Sequence, residues 1–107
     1  MIIRIEDIIF LENTNIIDGK GFLEWFGKIK SKELPIIEVK YWEGKYLSVG
    51  QRHRCCALYY GFNEDTINVK LTQRNLHEDL MRNLYENKTY RIKDFYIEFS
   101  FQKKLLR

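Results

Sequence analysis

The stretch Leu34-Pro35-Ile36-Ile37-Glu38-Val39-Lys40-Tyr41-Trp42-Glu43-Gly44-Lys45-Tyr46-Leu47-Ser48-Val49-Gly50 decides how this chain folds. A residue before proline avoids the helical region, so Leu34-Pro35 stops a preceding helix and starts an extended segment. Ile36 to Trp42 is rich in β-branched and aromatic residues, with Ile37, Val39 and Tyr41 on one face. Glu43-Gly44-Lys45 is a tight turn, and Tyr46 to Val49 returns as the antiparallel partner. Gly50 then breaks the strand.

Upstream of this hairpin, residues 2–6 alternate and predict a strand. Residues 12–19 are turn-rich and predict a connection. From Lys20 to Lys32 the positions Phe22, Leu23, Phe26 and Ile29 recur at helical spacing, with Asp18 as the cap. Downstream, Gln51 to Tyr60 predicts a helix burying Cys55, Leu58 and Tyr59, with Gly61 at the position just past its end. Thr66 to Leu71 predicts a strand with Ile67, Val69 and Leu71 on one side. Asn75 and Glu78 have capping-box spacing before a helix whose stripe is Leu76, Leu80 and Leu84, closed by Asn87. Tyr90 to Phe101 alternates loosely and predicts a last strand. The order, strand, helix, hairpin, helix, strand, helix, strand, defines a small α+β domain over residues 1–107, with a mixed sheet and three helices.

With 107 residues, the chain has one domain's length. Apolar residues are 45% and aromatics 15%, too many for a disordered chain. No apolar run reaches the roughly 20 residues of a membrane span, and the acidic start, Glu6-Asp7, does not fit a secretory signal. The two cysteines, Cys55 and Cys56, are adjacent and form no framework of spaced pairs, so a reducing, cytoplasmic setting is expected. With His53 and His77 they lack zinc-finger spacing, and no metal site is assigned. The net charge of +3 is unevenly distributed. Residues 1–87 carry 12 basic and 13 acidic side chains, whereas residues 88–107 carry six basic and two acidic. The excess sits in a tail containing Lys103, Lys104 and Arg107, a feature able to touch nucleic-acid phosphates.

The residues with most chemistry are Gly50-Gln51-Arg52-His53-Arg54. A glycine at a strand end allows a sharp turn. The amides that open the next helical turn are unpaired, and two arginines with a histidine make the place attractive to phosphate. Cations there oppose the helix dipole, which a purely structural role would have to tolerate. His53 is the candidate general acid or base, because imidazole titrates near neutrality. Arg74 lies outside this box and is expected to matter less to a ligand. Cys55 and Cys56 are expected to pack as small residues. Trp25, Tyr41 and Trp42 are candidates for base stacking or for ordinary burial.

These segments resemble the ParB/sulfiredoxin superfamily. The resemblance is carried by the proline-led strand Leu34-Pro35-Ile36-Ile37-Glu38-Val39, the hairpin Gly44-Lys45-Tyr46-Leu47, the box Gly50-Gln51-Arg52-His53-Arg54, Ala57 and Gly61. It covers roughly residues 2–72. It implies nucleotide binding, ATP or CTP, through Gly50, Gln51, Arg52, His53 and Arg54, with magnesium left open. Partition proteins, sulfiredoxins, a small-molecule kinase branch and proteins described as nucleases share the family. Gln51 stands where partition proteins have a metal-assisting glutamate and sulfiredoxins a nucleophilic cysteine. His53 stands where the second arginine would be, and Cys56 replaces the first alanine.

Two readings follow. In one, the chain is a ParB-like nucleotide-phosphate-binding protein acting with DNA, a weak NTPase or nuclease. In the other it is a non-enzymatic adaptor or inhibitor with a protein partner, keeping the fold without catalysis. Gln51 favours the second, since an amide cannot serve as a base or hold a metal as a carboxylate does. No membrane partner is expected.

Overall fold

The computed structural model of the protein describes residues 1–31 and 34–99. Its architecture is α+β, with three α-helices and a mixed six-stranded sheet among the described residues. Strands β1 (Ile2–Arg4) and β2 (Ile8–Leu11) flank a 3-10 turn, Ile5–Asp7. β3 (Ile16–Asp18) leads into α1 (Gly19–Ser31), and β4 (Ile37–Trp42) with β5 (Lys45–Ser48) forms the hairpin. A short α2 (Arg52–Cys56) runs on as a π-helical turn, Ala57–Gly61, to β6 (Thr66–Leu71). α3 (His77–Tyr85), β7 (Thr89–Tyr90), a 3-10 turn Ile92–Asp94 and β8 (Tyr96–Glu98) complete the order.

The hairpin forms as its sequence dictates. Trp42 faces Lys45 across a two-residue loop, and both loop residues, Glu43 (φ 45°) and Gly44 (φ 77°), are left-handed. That is what a tight hairpin turn demands. The six-stranded sheet has the order β1-β6-β4-β5-β2-β7, with β4/β6 and β2/β5 parallel and the other pairs antiparallel. β3 and β8 pair separately, in parallel.

Two apolar layers cover the sheet. Ile8, Phe10, Ile37, Val39, Ile67 and Val69 belong to a core shared with Cys55, Cys56, Ile92 and Phe95. Leu11 and Leu47 belong to a second cluster with Leu76 and Leu80, beside Ile9 and Trp42. β2 is thus covered on both faces, so it reads as the unbroken apolar run Ile8-Ile9-Phe10-Leu11 with no alternation to reveal it.

Several expectations are corrected. The strand expected over residues 2–6 ends at Arg4, where Ile5 N–H turns to the Asp65 carbonyl at 2.9 Å. Residues 12–19 are not all connection, because β3 pairs there with β8. Asp18 does cap α1, accepting from the Lys20 and Gly21 amides. Gly61 is not the left-handed residue after its helix. That conformation falls to Asn63 (φ 53°), while a Cβ at Gly61 would lie 2.7 Å from Phe26 Cδ2, so close packing accounts for this glycine. On α3, Leu84 is half exposed and Asn83 takes the buried place, since two carbonyls there need a donor. Asn87 closes the helix in the left-handed region (φ 60°). The expected last strand is split. Asp94 accepts from the Arg91 amide at 2.7 Å, closing a turn that sends Thr89–Tyr90 and Tyr96–Glu98 to different sheets.

Candidate functional site

The Gly50 turn is built as a cradle, and the protein already fills it. Gly50 sits at φ +80°, a backbone that side chains other than glycine's adopt with strain. Its N–H donates to Glu12 Oε1 at 2.9 Å, and Arg52 Nη1 donates to Glu12 Oε2 at 2.7 Å. Glu12, at the end of β2, is only 7% exposed. Its carbonyl in turn accepts from buried Asn83 of α3 at 3.1 Å. The cation at the start of α2 is therefore neutralised by a carboxylate forty residues away, which removes the dipole penalty an isolated arginine would carry.

His53 points elsewhere. Its Cδ2 lies 3.2 Å from where a Cβ on Gly21 would be, so the ring packs against the first turn of α1. Burial pushes its pKa down, and the Arg52 charge does so further, against weaker opposite pulls from Asp18 and Glu12. Both effects favour the neutral imidazole.

Arg54 faces a separate feature, an open groove of about 490 Å³. Trp25 in the middle of α1, the segment entering β4, the end of β5, the Gly50 turn, the end of β6 and the segment before α3 enclose it. Among the described residues its cations are Arg54, Lys70 and Arg74, and its single carboxylate is Glu38. Gln51 and Thr72 add neutral polar groups, and Pro35, Ile36, Val49 and Leu76 supply apolar wall. The Arg54 guanidinium lies 5.9 Å from the Trp25 ring centroid, and Lys28 Nζ lies 4.8 Å from the same ring. Burial pulls the Arg54 pKa down, and its Nε is buried with no hydrogen-bond partner among the described residues. Arg54 is within cation–π reach of Trp25 and retains donor capacity. Lys70 pairs with Glu38 at 3.4 Å and Arg74 with Asp79 at 3.9 Å, both with exposed cations.

Of the five box residues, the structure brings Gln51 and Arg54 to the groove, puts Gly50 and Arg52 on Glu12, and sets His53 against α1. Arg74, expected to lie outside any site, lines the groove. Cys55 and Cys56 are buried, and burial pushes both thiols up to about 12. Among the described residues no group of three or more His, Cys, Asp or Glu is placed to hold a metal ion. No helix there is long and apolar enough to cross a membrane. Lys103, Lys104 and Arg107 lie outside the described residues.

Sequence reasoning missed Glu12, Asn83 and Lys70. The signal for Glu12 was its place directly after a four-residue apolar run, the mark of a buried strand. Asn83 and Lys70 carried none, because their roles depend on which strand end each reaches. Comparison of the chain with protein-family models, with curated proteins and with solved structures returns no match.

Proposed function

We propose that this chain binds a nucleotide, or a phosphorylated small molecule of similar size, in the Arg54 groove. The observation that carries this reading is Arg54 itself, over the Trp25 ring and in no ion pair among the described residues, lining one groove with Lys70 and Arg74. A lining that combines cations with apolar residues suits a ligand with phosphates and a flat ring, and the volume is that of an ordinary ligand site. The ParB/sulfiredoxin resemblance points to the same class of ligand, with Gln51 and Arg54 as the box residues that meet it. The role assigned is binding; His53 is not among the groove's lining residues and receives no catalytic part. Contact with DNA would use the same cations together with the basic tail.

A thermal-shift panel of ATP, CTP and ADP, with and without magnesium, tests the reading. A ligand at 100 times its dissociation constant adds about 2.7 kcal/mol to stability. Arg54→Ala should remove the shift and Lys20→Ala should not. No shift with any nucleotide, or equal shifts in both variants, overturns it. The adaptor reading is favoured by Gln51, whose amide lacks a carboxylate's capacity as base or metal ligand. Binding without any turnover of nucleotide or DNA in the presence of magnesium supports it; product formation that Arg54→Ala abolishes refutes it.

A further inference from the structure

We propose that Glu12 is the residue that decides which arginine of the Gly50 turn meets an anion. Its carboxylate keeps Arg52 and the Gly50 amide engaged, so an incoming phosphate is met by Arg54. The identity of the groove as the binding place rests on the reading above; the selection rests on the Glu12 geometry.

Arg52 and Arg54 are two residues apart on one helix, about 200° around its axis, so they face opposite sides. Arg52 faces the end of β2 and Arg54 the groove. Glu12 is not a loose surface partner. Its carboxylate accepts from Gly50 and Arg52, and its carbonyl accepts from Asn83, which also holds the Lys88 carbonyl at 2.9 Å. An outside phosphate taking Arg52 would leave a 7%-exposed carboxylate without its counter-charge. That is unfavourable. No comparable penalty guards Arg54: both arginines keep a buried, unpartnered Nε, but Arg54 lies over an aromatic ring and makes no ion pair among the described residues, whereas Arg52 is paired with Glu12. Neutralising Glu12 has the opposite consequence. Glutamine at that place still offers an oxygen to the Gly50 amide, but it no longer cancels the Arg52 charge, and Arg52 becomes an anion site of its own.

The test uses inorganic pyrophosphate as the probe. In the wild-type protein, followed by ¹⁵N NMR, the Trp25 indole and Arg54 Nε signals should shift during titration while the Gly50 amide and Arg52 Nε stay still. Largest shifts at Gly50 and Arg52 overturn the proposal. Calorimetry on variants gives the second measurement. Arg54→Gln should lose pyrophosphate binding, and Glu12→Gln added to it should restore affinity by about tenfold, the scale of one charge-assisted hydrogen bond. The triple variant Glu12→Gln/Arg52→Gln/Arg54→Gln should lose it again. A folded Glu12→Gln/Arg54→Gln protein that binds no better than Arg54→Gln refutes the selection by Glu12, whatever the wild type does. Wild-type protein that binds no pyrophosphate refutes the groove reading instead, and gain of binding in Glu12→Gln then still supports the role of Glu12.

Discussion

Tyr59 donates its hydroxyl to Glu6 Oε1 at 2.6 Å, joining the π-helical turn to the 3-10 turn after β1 across fifty-three residues. Lys93, in the 3-10 turn before β8, reaches the same oxygen at 2.9 Å, and Arg4 reaches Oε2 at 2.6 Å. One carboxylate therefore gathers three elements that the sheet alone does not hold together.

This clasp predicts a loss of stability in acid. The Tyr59 hydrogen bond, then Lys93, pull the Glu6 pKa down from 4.5 to about 2. A carboxyl more acidic when folded than when unfolded stabilises the fold above its unfolded pKa. That contribution falls away as pH drops from about 4.5 through about 2. Urea midpoints of wild type and Glu6→Gln should differ at neutral pH and converge near the lower value. A difference that stays constant across that window would show that Glu6 acts by packing alone.

Asn83 should be hard to replace. It is 3% exposed and donates to the Glu12 and Lys88 carbonyls. Asn83→Leu keeps the approximate volume and strands both acceptors, at a cost of about 1–3 kcal/mol. Chemical denaturation measures this. A neutral effect would mean that water reaches both carbonyls.

The vicinal cysteines should be inert in the native state. Both thiols are buried and raised to about 12, so the thiolate fraction at neutral pH is negligible. Labelling by a disulfide reagent should proceed only at the rate of opening of the fold. Rapid native-state labelling of either residue would contradict this.

What was legible in the sequence was whatever local chemistry dictates. Pro35 set the start of the extended segment, Glu43-Gly44 set the hairpin, and Asp18 set the start of α1, each through its own backbone or side chain. β2 was missed because burial on both faces erases alternation and leaves only a short unbroken apolar run as its mark. The split between Tyr90 and Tyr96 was illegible because a side chain, Asp94, closes a turn inside what reads as a strand. The box marked the right region. Yet it could not show that Arg52 and Arg54 differ, since that depends on Glu12, whose approach is a tertiary fact.

Removing residues 102–107 takes away three positive charges, Lys103, Lys104 and Arg107. The proposed ligand is held by Arg54, Lys70 and Arg74, so its thermal shift should survive the truncation. DNA affinity should fall. On duplex DNA each neutralised phosphate contributes about −0.9 to the log–log salt slope, so the slope should flatten by up to about 3. Fluorescence anisotropy against salt for both forms decides it, and equal slopes would exclude the tail from DNA contact.

Gly61 offers a prediction in which two effects compete for the sign. Replacing a glycine by alanine within a helical turn ordinarily stabilises by about 0.5–1 kcal/mol through backbone entropy. Here the new Cβ would lie 2.7 Å from Phe26 Cδ2 and 2.9 Å from Cε2. Phe26 is not free to retreat without loss, because its ring stacks on Phe62 with centroids 4.5 Å apart and planes 16° from parallel. Overpacking of this kind costs about 1–3 kcal/mol, so the clash wins and Gly61→Ala is destabilising. The same substitution made in a Phe26→Leu background meets a smaller side chain, and its penalty should shrink or reverse. A double-mutant cycle by urea denaturation should therefore return a coupling of about 1 kcal/mol or more. Simple additivity would show that Phe26 rotates away at no cost, and that some other feature requires glycine at this position.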